Sequence, residues 1–127
     1  MTDFNSQHNR VVWFDIPVQN LDRACAFYRG VLAVDVGIVS FEQTSLAVIE
    51  HGDGNGGCLI PDAGEIANAG VLVYLNADGR IRDALQRVEE LGGRIVEPLR
   101  AIGQHGFRAV ILDSEGNRVA LHSSVDA

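Results

Sequence analysis

Residues 47–59 read Ala-Val-Ile-Glu-His-Gly-Asp-Gly-Asn-Gly-Gly-Cys-Leu, and residues 109–121 read Ala-Val-Ile-Leu-Asp-Ser-Glu-Gly-Asn-Arg-Val-Ala-Leu. They are identical at Ala47/Ala109, Val48/Val110, Ile49/Ile111, Gly54/Gly116, Asn55/Asn117 and Leu59/Leu121, and Asp53/Glu115 keeps the charge. Six identities in thirteen positions, 62 residues apart in a chain of 127, read as one unit written twice. A duplicated unit has a seam, and a seam between two similar sheets is a natural place for a ligand pocket.

The repeat extends outward from these stretches. Val11–Val18 is β-rich, and Asn20 is placed to cap a following helix. Leu21, Ala24, Cys25, Tyr28, Val31 and Leu32 then recur at helical spacing. In the second half Gly70–Asn76 reads as a strand, with Asp78 as the expected cap. Ile81, Ala84, Leu85, Val88 and Leu91 carry the same stripe, shifted by 60, and Gly92-Gly93 ends it. Three strands are expected after each helix: about 34–40, 45–50 and 57–61, then 94–98, 107–113 and 118–123. Gly- and Asn-containing turns join the last two strands of each half. The predicted order is βαβββ twice, over 11–61 and 70–123, with 62–69 as linker in one domain spanning 1–127.

Composition narrows the function. Net charge is −7 and every basic residue is arginine. An acidic, lysine-free chain does not fit nucleic acid, and it has no lysine for Schiff-base or general-base chemistry. The acidity is compatible with a cationic ligand, but more often such charge only keeps a protein soluble. No apolar run reaches the ~18 residues of a membrane span, and the polar segment Met1–Arg10, which includes His8, shows no signal-peptide pattern. Cys25 and Cys58 have no metal or redox spacing, so free thiols in the cytoplasm are expected. The G-x-G-x-x-G of Gly52–Gly57 is followed by a strand-like Cys58-Leu-Ile-Pro, not by the helix a dinucleotide site needs. A calcium loop at Asp53 and Asn55 would close on an acid where Gly64 stands.

Val18-Gln-Asn-Leu-Asp-Arg-Ala-Cys-Ala-Phe-Tyr28, Arg87-Val-Glu-Glu-Leu-Gly-Gly93 and Asp113-Ser-Glu-Gly-Asn-Arg-Val119 together resemble the vicinal oxygen chelate superfamily. This is the glyoxalase/bleomycin resistance/dioxygenase group. Trp13–Pro17 and Gly103–Phe107 resemble its glyoxalase-like members. The resemblance implies an α+β fold in which two βαβββ modules form a cupped, eight-stranded mixed sheet. It also implies a homodimer and a small-molecule ligand in the cup. Metal-using members place a ligand in the first and last strand of each unit, and those positions carry over to Trp13, Cys58, Gly70 and Ala120. Only Cys58 can bind a metal, and catalytic sites use about three protein ligands. The expectation is therefore a site with no metal cofactor. Glu50 is a second, weaker donor, aligned by the repeat with Leu112.

Strand alternation selects the remaining candidates. Asp15 shares a face with Trp13, Tyr74 with Gly70, and both Arg118 and His122 with Ala120. Trp13, Cys58, Tyr74 and Arg118 are the expected ligand-lining residues. Trp13 fits core packing equally well. An inward Asp15 needs a partner, with Arg118 or a ligand cation as candidates. Asp15, His105 in its glycine-flanked loop, and His122 are the candidate catalytic bases. His51 is expected on the rim. Cys58 as a nucleophile lacks an identifiable base. Three functions remain: a small-molecule protein that works without metal and has lyase or isomerase chemistry as an option; a drug-sequestering protein of the bleomycin-resistance type; and a metal-dependent glyoxalase-like lyase.

Overall fold

The computed structural model describes residues 9–127, with residue 41 described in its backbone only; His8 lies outside this range. The first module contains β1 (Asp15–Val18), α1 (Leu21–Leu32), β2 (Val36–Phe41), β3 (Thr44–Ile49) and β4 (Cys58–Pro61). The second contains β5 (Tyr74–Asn76), α2 (Ile81–Glu90), β6 (Arg94–Ala101), β7 (Phe107–Leu112) and β8 (Arg118–Ser123). Each module builds a mixed four-stranded sheet, ordered β1-β4-β3-β2 and β5-β8-β7-β6. The eight strands thus form two sheets rather than one continuous ladder, with β1 and β2 at the edges of the first and β5 and β6 at the edges of the second.

Each helix covers one face of its own sheet, and the two helices also pack together. Ile16, Val18, Ala47, Ile49, Leu59, Leu75, Ala109, Ile111, Val119 and Leu121 point to the helices and join Phe27, Tyr28, Ile81 and Val88 in one core. The intervening strand residues face away from the helices. Here they are called the cup faces.

Local signals explain most boundaries. Asn20 accepts a hydrogen bond from Arg23 N at 3.0 Å and caps α1. Gly92, at φ +93°, ends α2 in the left-handed conformation that glycine adopts without a Cβ clash. Strands β1 and β5 are shorter than the sequence predicts. Each runs parallel to a partner and begins only where it meets that partner, Asp15 opposite Cys58 and Tyr74 opposite Ala120. These registers also correct the predicted equivalence of Trp13 with Gly70. By position in the ladder, Asp15 corresponds to Tyr74, a shift of two residues that preserves the face.

Asp78 does not cap α2, where Arg80 is the N-cap residue and gives no side-chain bond. Asp78 instead accepts from the backbone N and the hydroxyl of Ser124, both at 2.6 Å, and so holds the segment after β8.

The repeated turn of the second module fastens the modules together. Glu115 accepts from Gln19 N at 3.0 Å, Asn20 N at 2.8 Å and the Arg23 guanidinium at 2.7 and 2.9 Å. Asn117 Nδ2 donates to Pro17 O at 2.7 Å. Asp113 accepts from the buried Tyr28 hydroxyl at 2.6 Å and from the backbone N of Glu115 and Asn117. Burial alone would raise the Glu115 carboxyl. The bonds from Arg23, Asn20, Ser114 and Gln19 outweigh it and hold the group at about 2.

Candidate functional site

The candidate residues fall into two groups, one on each cup face. On the first sheet, Asp15 and Cys58 are ladder partners. The Cys58 thiol donates to Asp15 Oδ1 at 3.2 Å, and the Trp13 indole N–H donates to the same oxygen at 3.1 Å. Both bonds end on Oδ1, which leaves Oδ2 for a ligand. Burial, then the Asp15 carboxylate, push the Cys58 thiol up to about 11. At neutral pH Cys58 is therefore a protonated donor that orients Asp15, and not a thiolate nucleophile.

The sequence offered Arg118 or a ligand cation as the partner of Asp15. Asp15 is held instead by Trp13 and Cys58, and Arg118 forms no ion pair among the described residues. Asp15 and Arg118 do line one cavity of about 350 Å³, together with Phe14, Pro17, Val71 and Val73 at the seam.

On the second sheet, Tyr74 stands opposite Ala120, and Asn76 opposite His122. His122 in turn stands opposite Arg108 on β7. Arg108 donates to the Tyr74 hydroxyl, pairs with Glu97 at 3.2 Å and lies 5.9 Å from the centre of the Tyr74 ring. Arg108 and Glu97 belong to this group and were not selected from the sequence. The repeat offset aligns Arg108 with Leu46 and so gave no sign of it. His122 and His105 are joined, but through the backbone: His122 Nε2 lies 2.7 Å from the His105 carbonyl. A carbonyl only accepts, so Nε2 carries the proton, and Nδ1 is the free basic position of a neutral His122.

A larger cavity of about 630 Å³ lies between the turn at residues 50–56 and the start of α2, with Phe14, Leu32, Val34 and Ile49 as its apolar wall. Of the expected ligand-lining and catalytic residues it includes Tyr74 alone. Its polar groups are largely committed to the protein. Glu50 accepts from Gly52 N, Arg80 donates to Val31 O and Asp83, and Asp78 holds Ser124. His51, expected on the rim, lines this cavity, bonds Gly54 O at 2.9 Å and meets the Trp13 ring edge-on at 6.1 Å.

The four positions carried over as metal ligands do not supply a donor set. Gly70 sits in an exposed bend outside β5, and Ala120 has no donor atom. The register-corrected set of Asp15, Cys58, Tyr74 and Ala120 offers one carboxylate bonded to a protonated thiol, and a phenol bonded to Arg108. No group of three or more His, Cys, Asp or Glu among the described residues could hold a metal ion. Nor is any described helix long and apolar enough to cross a membrane.

Comparison with known proteins agrees with this architecture. A glyoxalase/bleomycin resistance protein from Albidiferax ferrireducens superposes with a TM-score of 0.71 at 16% identity, covering 91% of this chain and 99% of that one. The hypothetical protein SA1046 from S. aureus gives 0.68 at 19% identity, covering 91% and 98%. A genomically encoded fosfomycin resistance protein from Listeria monocytogenes gives 0.68 at 13% identity, covering 91% and 93%. At these identities the likeness is one of fold. No curated protein matches the sequence. The family model of the Glyoxalase/Bleomycin resistance protein/Dioxygenase superfamily matches residues 10–121, and the chain belongs to that superfamily.

Proposed function

We propose that this protein binds a small organic molecule on its cup faces, beside Asp15 and Arg118, without a divalent metal as the anchoring group. The observation that carries this reading is the Asp15 carboxylate. Its Oδ1 is fixed by Trp13 and Cys58 while Oδ2 is left open, and it shares the wall of the 350 Å³ cavity with Arg118. An oriented, half-occupied carboxylate beside an arginine free of ion pairs is a recognition pair for a polar organic ligand. The protein works in the cytoplasm as a homodimer in this reading. If it performs chemistry, the step is a metal-independent lyase or isomerase reaction. Asp15 then takes a proton at Oδ2, with His122 Nδ1 as the second base and His105 fixing the His122 ring through its carbonyl.

Trp13 is the sole tryptophan and touches Asp15, so its fluorescence reports on this site. Small organic compounds screened against chelator-treated protein should give saturable changes in Trp13 emission, weakened about tenfold in Asp15→Asn by loss of one charged hydrogen bond. If no hit binds the variant more weakly, the reading is contradicted. Saturation by bleomycin alone would replace it with drug sequestration. Activity on hemithioacetals restored only by nickel or zinc would replace it with the metal-dependent lyase.

A further inference from the structure

The two cup faces carry opposite charge. The strands of the first sheet contain one charged residue, Asp15, and no arginine. Those of the second contain Arg94, Arg100, Arg108 and Arg118, against the single acid Glu97. This places four of the chain's ten arginines in one sheet of a protein whose net charge is −7.

The pairing gathers them on one face. Arg100 stands directly opposite Arg108, Arg108 opposite His122, and His122 opposite Asn76, giving one row across all four strands. Directly opposed residues project from the same side of a sheet. Glu97 and Tyr74 on the adjacent row reach Arg108, so the row lies on the cup face. Leu99, next to Arg100, packs on the helix-side core, which confirms that Arg100 points the other way. The two bulges in the β6–β7 pairing bring Arg100 into line with Arg108.

Two arginines directly opposed repel each other, at a cost that a sheet normally avoids. Glu97 neutralises Arg108 alone. Arg100 forms no ion pair among the described residues, and its single hydrogen bond, to Ala101 O at 3.5 Å, is at the limit of length. Arg108 Nε is buried with no acceptor. A face with surplus guanidinium donors and one short carboxylate supply is complementary to an oxyanion, which arginine binds through two parallel N–H bonds.

We infer that the cup face of the second sheet is an anion site, which holds the carboxylate or a like oxyanion of a small organic ligand between Arg100 and Arg108, beside His122. The inference rests on the cup as the ligand face and adds the ligand's charge. The chain's overall acidity does not set the sign at the site, because the cations are concentrated there. Binding should weaken with salt.

The test uses three probes of one shape on the full chain by calorimetry at low salt: benzoate, benzamidine and benzyl alcohol. Benzoate should bind at least about tenfold tighter than the other two. Arg100→Gln, an exposed change that keeps the fold, should weaken benzoate about tenfold and leave benzyl alcohol within about twofold. Arg108→Gln should do the same. Benzamidine or benzyl alcohol binding as tightly as benzoate, benzoate affinity unchanged in Arg100→Gln, or no saturable benzoate binding would each overturn the inference. If uncharged or cationic compounds bind and depend on Asp15 while benzoate ignores the arginines, only this inference fails. If no organic compound binds at all, the proposed function fails with it.

Discussion

The two copies of the repeated turn have taken opposite tasks. The copy at 113–117 is a fastener. Its Asp113, Glu115 and Asn117 reach into the first module and hold the start of α1, the buried Tyr28 hydroxyl and the β1 backbone. The copy at 51–55 bounds the larger cavity, facing the start of α2 across open space. The partners explain the difference. At the helical offset of 60, Asn20, Arg23 and Tyr28 become Arg80, Asp83 and Val88. A carboxylate in the first turn would meet the like charge of Asp83 where Glu115 meets Arg23, and Val88 has no hydroxyl to offer. Asp113 has become His51, which bonds within its own turn. The backbone has followed. Gly116 has φ +100°, whereas its counterpart Gly54 does not adopt positive φ. Conserved wording in a duplicated chain therefore identifies ancestry. The helix opposite each turn decides its use.

The largest test of this contrast is Asp113→Ala against His51→Ala. Losing Asp113 removes acceptors from Tyr28, Asn117 and the turn backbone in a buried setting, and should cost about 3 kcal/mol. Losing His51 should cost under about 1 kcal/mol. Urea unfolding of both variants measures the difference, and equal losses would break the contrast.

A smaller effect concerns acid. The Glu115 carboxyl is lowered from 4.5 to about 2 in the fold. A depressed folded value means the stabilisation is complete above 4.5 and is lost as pH falls toward 2. In Glu115→Gln the stability profile between pH 5 and 2 should be flatter than in the parent protein. Parallel profiles would remove Glu115 from its role as fastener.

Much of the fold was legible in the sequence. The 3.6-residue stripes, the Asn20 cap, the Gly92 terminator and the shared turn wording are local signals, and each element they mark is present. What was not legible depends on partners distant in sequence. Strands β1 and β5 start where β4 and β8 begin to pair, and no pattern within 11–18 or 70–76 encodes that. Asp78 has the wording of a cap, but the Ser124 backbone and hydroxyl compete for it successfully.

For the site, alternation assigned Asp15, Tyr74 and His122 to strand faces; the ladders pair Asp15 with Cys58, Tyr74 with Ala120 and His122 with Asn76. Alternation did not separate them by module into a carboxylate group and a guanidinium group. Arg100 escaped notice because the β6 bulges interrupt simple alternation, and Arg108 because the repeat aligns it with Leu46. The available clue was compositional: the strands of one half hold all the strand arginines, and those of the other hold none.

The central claim is that the cup holds an organic ligand by its own side chains. Calorimetric titration of benzoate into the chelator-treated protein, repeated with an equivalent of nickel, zinc, iron or manganese, tests it most directly. The account predicts saturable binding with chelator present and no gain in affinity from any metal. Binding that appears only when one of those metals is added would contradict it.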